Sequence, residues 1–246
     1  DLDSLLRCME QFEGRGRSYI ADPILDPIHF GFTDSILRYQ GLRKKHPRVE
    51  IMMGVGNITE LTEADTTGIN AVMMGIISEL RITNILTTEV SSHCRSAVRE
   101  ADAARRIMYW ARREKTLPKQ VDSRLTALHE IKPFPYTFAE ISELAAEIRD
   151  PNFRIQISDN GIHLYNRDGL LTHDDPFDFF PELGVESDGG HAFYLGVELA
   201  RAQIAYQLGK RYVQDQPLCW GSALPETEKD MSRQDAPGTT KTRKSS

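Results

Sequence analysis

Three short polar segments carry most of the side chains in this sequence that could bind or transform a small molecule, and each follows an apolar run. Their members are Asp22, Asp26 and His29 in the first segment, Asn57, Thr59 and Glu60 in the second, and Thr87, Thr88, Glu89, Ser91, Ser92 and His93 in the third. The ionised carboxylate of Asp26 offers two coplanar acceptor oxygens, which suit the paired N–H donors of an amide-like heterocycle. Asn57 can donate and accept, which suits a ring nitrogen beside a carbonyl. If the segments meet, we expect a site for a nitrogen heterocycle.

Each of these side chains also has an ordinary structural interpretation, which the residues alone leave open. Asp22 and Asp26 adjoin prolines, where aspartate is a frequent turn former. Asn57 could stabilise its own loop. A histidine at a helix start, such as His191 behind two glycines, could touch an anion but is more often structural.

The sequence lacks the motifs that would indicate metal binding or covalent catalysis. His29 and His93 lie in different segments without a short-range ligand pair, so we expect no metal site. Neither the phosphate-binding Gly-x-x-x-x-Gly-Lys motif nor the Gly-x-Ser-x-Gly motif of serine hydrolases is present. Cys94 is next to His93, but adjacency in sequence does not make a catalytic pair.

The elements before these segments predict a parallel α/β fold for residues 1–115. Apolar runs predict strands at 19–25, 49–53 and 82–86, and amphipathic patterns predict helices at 2–13, 34–45, 62–79 and 93–113. Gly54 and Gly56 follow the second run, where they would let the backbone approach another group closely. Crossover handedness then gives a parallel sheet with helices outside. An eight-stranded barrel takes ~250 residues, so we expect the last three βα units of such a barrel.

The character of the sequence changes after these units. Residues 116–135 form a polar, proline-containing linker, and 136–221 predict a small α+β domain. That domain should contain a helix at 136–148, a hairpin at 153–165 with a second turn at 166–169, an irregular aromatic segment at 174–181, and a helix at 192–208 capped by Gly209. The polar composition of 222–246 predicts a disordered tail.

Composition narrows the function classes. A net charge of -6 and a pI of about 5.7 disfavour a general nucleic-acid surface. Cys8, Cys94 and Cys219 lack metal-type spacing and predict reduced thiols in a cytoplasmic protein. No apolar run approaches the roughly 18 residues that span a bilayer, so we expect no membrane partner. The chain opens at Asp1 without a methionine, and we expect a preceding segment.

Several stretches resemble the last part of a pterin-binding barrel of the dihydropteroate synthase type, over roughly residues 1–115. They are Ile-Leu-Asp-Pro at 24–27, Phe-Gly-Phe at 30–32, Met-Gly-Val-Gly-Asn at 53–57 and Ile-Leu-Thr-Thr-Glu-Val at 85–90. Asn-Ile-Thr-Glu-Leu at 57–61 resembles a subgroup of dihydropteroate synthase-like proteins encoded beside pterin-cofactor genes in organisms that use tetrahydromethanopterin. Residues 136–221 resemble the uncharacterised domain that follows the barrel in those proteins.

The resemblance implies a role in pterin cofactor metabolism of the tetrahydromethanopterin or folate type. The family's pterin-holding aspartate falls on Asp26, and Asn57 stands where pterin-dependent methyltransferases carry an asparagine that contacts the reduced ring. Asp22 and His29 would complete the pterin contacts, and Glu60 and Glu89 would be available for proton transfer. We expect a reduced pterin as ligand, no further cofactor, and a homodimer.

The chain also departs from the synthase pattern. Gly56, Asn57 and Ile58 replace the Ser-Arg-Lys whose lysine holds the pterin in synthases, and residues 86–89 replace the Arg-Val-His-Asp that holds pyrophosphate. A diphosphate leaving group needs such cations, so ordinary dihydropteroate synthesis is not expected. A pterin-dependent transferase, a non-catalytic pterin carrier and an oligomer scaffold stay open as alternatives.

Overall fold

The computed structural model describes residues 1–225, and helices outnumber strands in the amino-terminal part of the chain. In this part the elements are α1 (Leu2–Gly14), α2 (Phe32–Lys45), β1 (Met52–Gly54), α3 (Gly56–Thr59), α4 (Thr66–Glu79), β2 (Asn84–Leu86), a 3-10 turn (Ser92–Cys94) and α5 (Ala97–Glu114). The carboxyl-terminal part contains α6 (Phe138–Glu147), β3 (Arg154–Ser158), β4 (Gly161–Asn166), β5 (Gly169–His173), α7 (Pro176–Leu183), α8 (Gly189–Leu208) and a 3-10 turn (Gly221–Ala223). The protein is therefore a mixed α/β fold with small sheets.

The first sheet is parallel and follows chain order. Strand β1 pairs with β2 in the register Met53↔Ile85, and Ala21 forms a parallel bridge to Ile51 on the other side. The predicted first strand is thus reduced to one bridge. Pro23 has no N–H to donate and Ile24 has a φ of 67°, so neither residue can continue a ladder.

The helices cover this sheet and bury one apolar core. Its largest fully buried side chains include Tyr39, Leu42, Ile51, Met53, Ile58, Met73 and Met74. Because the strands are parallel, their carboxyl ends lie at one edge, and the three polar segments follow that edge. Residues 1–225 contain no closed barrel: their strands form this sheet and one other.

The second sheet is antiparallel, in the order β3-β4-β5. The predicted hairpin is confirmed, with Ile157 opposite Ile162, but the second turn leads into β5, a third strand that the sequence analysis did not predict. The aromatic segment predicted to be irregular is helix α7. Asp175 accepts a hydrogen bond from the Phe177 amide and Pro176 occupies the first helical position, a start signal that the later Pro181 obscured.

Helix α8 ends as predicted at Gly209, which has a φ of 60°. It packs on β3 and β4 over a second core that includes Ile155, Ile162, Phe179, Leu195 and Leu199.

The predicted boundary of the disordered tail, at residue 222, lies too early in the chain. Ser222 is buried and its amide donates to the Arg124 carbonyl at 2.7 Å, so packed chain extends through the Gly221–Ala223 turn. The part of the predicted tail from 226 to 246 lies outside the described residues. Within the described range, no helix is both long enough and apolar enough to cross a membrane.

Candidate ligand-binding site at the carboxyl edge of the parallel strands

Side-chain hydrogen bonds join the three polar segments at the carboxyl edge. The Asn57 amide nitrogen donates to the Leu25 carbonyl at 2.7 Å and so ties the second segment to the first. The Glu60 carboxylate and the His93 ring bind across the second and third segments. The structure therefore brings together three segments spread over residues 22–93 of the chain.

Asp26 is held by a cation from the following helix. Arg38 Nη2 lies 2.6 Å from Asp26 Oδ2, and both side chains are half-buried. Gly31, at a φ of 106°, packs so closely that an added Cβ would sit 3.2 Å from the same oxygen. The carboxylate is thereby fixed at the edge, with Oδ1 left without a hydrogen-bond partner among the described residues.

Asp22 stabilises its own loop. Its Oδ1 accepts from the Ile24 amide and from the Tyr39 hydroxyl, both at 2.9 Å. Burial, with Asp22 nearby, raises the pKa of Tyr39 far above its ordinary value, so this phenol stays a donor. His29 is exposed and makes an edge-on ring contact with Phe30 at 5.8 Å between centroids. A role in holding a ligand stays a prediction for Asp22 and for His29.

Asn57 is the second residue of the short helix α3 and is exposed at the edge. Within residues 1–225, its amide nitrogen is the atom with a hydrogen-bond partner, and its oxygen has none. Because the partner is the carbonyl one residue before Asp26, the carboxamide lies beside the loop that carries the carboxylate. The arrangement leaves one amide oxygen and one carboxylate oxygen available at the same edge.

Glu60 joins the third segment to the second by hydrogen bonds. Its oxygens accept from the Thr88 hydroxyl and from the amides of Val90 and Ser91, each at 2.8 Å. These donors, with the Val90 amide the largest contributor, lower the pKa of Glu60 from its ordinary 4.5 to about 2. A carboxylate so strongly stabilised in its ionised form is a weak general base, which disfavours the predicted role in proton transfer.

Glu89 also has a structural contact. Its Oε1 accepts from the Val98 amide at 3.0 Å, in the first turn of α5, where a carboxylate is favoured by the helix dipole. The side chain is exposed, and its predicted role in proton transfer stays a prediction.

The close approach expected at the glycines of the second segment occurs at Gly56. A Cβ there would lie 2.8 Å from the Thr88 hydroxyl, whereas Gly54 has open space around it. The approaching group is therefore the third segment of the chain itself, and Gly56 lets that segment pack closely where Glu60 binds it.

Cys94 is unsuited to nucleophilic chemistry. It is fully buried, and its thiol donates to the Thr59 carbonyl at 3.1 Å, the same oxygen that His93 Nε2 contacts. Burial, followed by the charge of Glu60, raises the pKa of the thiol to about 11, so the reactive thiolate is scarce near neutral pH. The three cysteines are all unpaired.

A buried carboxylate beside this site was not among the predicted residues. Glu100 is 2% exposed and accepts hydrogen bonds from Thr66, Thr67, Asn70 and Ser96. It lines a cavity of about 670 Å³ between the starts of α4 and α5 and the segments 125–129 and 220–224. Its position on the alanine-rich buried face of α5 was a signal that could have identified it.

Residues 1–225 contain no cluster of three or more histidine, cysteine, aspartate or glutamate side chains arranged to hold a metal ion. The site offers hydrogen-bonding groups instead, namely one carboxylate, one carboxamide and backbone atoms of three loops. Such a set can bind a neutral heterocycle with adjacent donors and acceptors.

Comparisons with known proteins add a distant relative. The chain is 28% identical over 219 residues to an uncharacterized protein of Methanocaldococcus jannaschii, a match that covers 80% of this chain and 42% of that protein. The chain thus spans less than half the length of this relative. No protein-family model matches the chain, and no solved structure matches it.

Proposed function

We propose that this chain binds a reduced pterin at the carboxyl edge of its parallel strands, as part of a dihydropteroate synthase-like barrel whose other strands lie outside residues 1–225. The observation that carries the proposal is the hydrogen bond from Asn57 to the Leu25 carbonyl, since it sets a carboxamide beside the Asp26 loop. Asp26 Oδ1, which Arg38 leaves free, would accept an N–H donor of the pyrimidine ring, and Asn57 would contact the reduced ring.

The charges beside Asp26 support binding over displacement of diphosphate. Arg38 is the cation in contact with Asp26, and its guanidinium is occupied by that carboxylate and by backbone carbonyls. An unoccupied cation is needed to stabilise a departing diphosphate. The strongly ionised state of Glu60 also disfavours it as the proton acceptor of a transfer reaction. A pterin carrier, or a transferase with another leaving group, fits these features better than an ordinary dihydropteroate synthase.

Calorimetric titration of the full chain with a tetrahydropterin under anaerobic conditions tests the proposal. Asp26→Asn should weaken binding by roughly 10- to 100-fold, because hydrogen bonds to charged groups contribute about 1.5–3 kcal/mol. Asn57→Ala removes a neutral hydrogen-bonding group and should weaken binding by about 2- to 10-fold.

Two matched substitutions serve as controls and should leave affinity unchanged. Asp102→Asn removes another arginine-paired carboxylate, which is partly exposed on α5, and Asn84→Ala removes a carboxamide at the opposite, amino end of β2. Failure of the unaltered chain to bind tetrahydropterin would refute the proposal. Incubation with a pterin diphosphate and amino- or hydroxybenzoates should release no pyrophosphate above background, and release would instead identify a synthase.

A further inference from the structure

The loop that carries Asp26 is strained on both sides of the aspartate. Ile24 has a φ of 67° and His29 a φ of 71°, in the left-handed region that L residues seldom adopt. For a β-branched residue this conformation is an outlier. Ile24 is also 60% exposed, so burial of its side chain does not compensate the strain. Backbone of this kind persists only where surrounding contacts over-determine it.

Those contacts come from two successive residues of α2. Arg38 donates to the Pro23 carbonyl at 3.2 Å, to the Ile24 carbonyl at 2.8 Å and to Asp26 Oδ2 at 2.6 Å. Tyr39 holds Asp22, which accepts from the Ile24 amide at 2.9 Å. Both backbone polar groups of the strained residue are therefore engaged, one of them directly by Arg38.

We infer that Arg38 is a positioning residue: it locks residues 22–26 in the strained conformation and thereby presents the Asp26 carboxylate at the site. The inference rests on the proposed pterin site for its ligand, but the lock itself is independent of which ligand binds. An arginine is required because its planar guanidinium holds several donors in fixed directions, whereas a lysine ammonium is a compact charge on a flexible stem.

Three variants separate the lock from a simple charge effect. Arg38→Ala should weaken tetrahydropterin binding at least tenfold and speed amide hydrogen exchange at Ile24, because the loop relaxes. Adding Ile24→Gly should restore much of the affinity, since glycine adopts a φ near +67° without strain. Arg38→Lys should restore little. Arg106→Ala, which removes an exposed arginine paired with Asp102, is the matched control and should change neither measurement.

Rescue by a small molecule provides a further readout. Methylguanidinium should recover binding to Arg38→Ala and should not recover binding to Asp26→Asn. If Arg38→Ala leaves exchange at Ile24 unchanged, or if Ile24→Gly in that background restores nothing, the positioning role is overturned. Exchange that rises in Arg38→Ala while the unaltered chain fails to bind tetrahydropterin would uphold the lock and refute the pterin site. Circular dichroism and thermal unfolding establish that each variant is folded. If Arg38→Ala does not fold, the same measurements are made on Arg38→Lys.

Discussion

At the residue scale, Glu60 shows how one carboxylate can organise a loop without acting on a ligand. Its three donors come from residues 28 to 31 positions later, so the contact fixes the third segment against the second. The same donors favour the ionised form. The stability of this contact between the second and third segments therefore depends on pH.

Replacing Glu60 by glutamine should destabilise the protein at neutral pH and much less in acid. The folded-state pKa of about 2 lies below the ordinary 4.5, so the stabilisation is complete above pH 4.5 and is lost as the pH falls towards 2. Urea denaturation at pH 7 and pH 3 should give a smaller difference between Glu60→Gln and the unaltered chain at the lower pH. Glu63→Gln, at a nearby exposed glutamate, should show no such dependence; an equal loss for Glu60→Gln at both pH values would contradict the assignment.

At the element scale, α4 and α5 are held together by a buried carboxylate. Glu100 lies in the first turn of α5 and accepts from Thr66 and Thr67 in the first turn of α4. Both helix amino termini therefore face its negative charge, which helix dipoles favour. Among the described residues, no lysine or arginine pairs with Glu100, and neutral donors saturate its two oxygens.

Glu100→Gln should lower the free energy of unfolding by about 1–3 kcal/mol, because the buried amide nitrogen faces groups that donate to the carboxylate. Urea denaturation at neutral pH measures the change. Glu114→Gln, at the exposed end of the same helix, should stay within about 0.5 kcal/mol of the unaltered chain. An equally small change for Glu100→Gln would show that the hydroxyls simply reorient.

At the scale of the whole molecule, a clasp joins the segment after α5 to the end of the described chain. Ser222 donates to the Arg124 carbonyl, and Lys210 donates to the Ala127 carbonyl at 2.7 Å. The ammonium of Lys210, which is fully buried, also lies 4.7 Å from the centre of the Trp220 ring. The clasp forms one wall of the cavity beside Glu100.

Gly221→Ala should open this clasp. Gly221 has a φ of 52°, and a Cβ there would overlap the carbonyl oxygen of Arg124. We expect a loss of at least about 1–2 kcal/mol from the left-handed backbone alone. In a Trp110→Phe background, the fluorescence of Trp220 should shift to longer wavelength as the ring becomes exposed.

Amide exchange at Ser222 should also become faster in the Gly221 variant. Gly14→Ala is the matched control, since a Cβ at Gly14 meets open space. Unchanged fluorescence and exchange in Gly221→Ala would show that the clasp tolerates the added carbon.

Local patterns in the sequence determined the elements that depend on neighbouring residues. Helix α1, the β3–β4 hairpin and the Gly209 cap were all predicted, because apolar periodicity and turn chemistry are set within a few positions. The parallel pairing of the strands also followed, since successive βα units place their strands side by side in one direction. The conformation at Ile24 did not follow, because propensity alone would assign it to a strand.

Only the tertiary structure decided which side chains act on which loops. Arg38 reaches Asp26 because α2 packs back over its own preceding loop, and Glu60 reaches Val90 because consecutive βα loops stack at one edge. The contact between Arg99 and the Ser222 carbonyl joins residues 123 positions apart. Sequence patterns report which face of an element is buried, but the partner of a polar group depends on how separate elements are stacked, which no local pattern encodes.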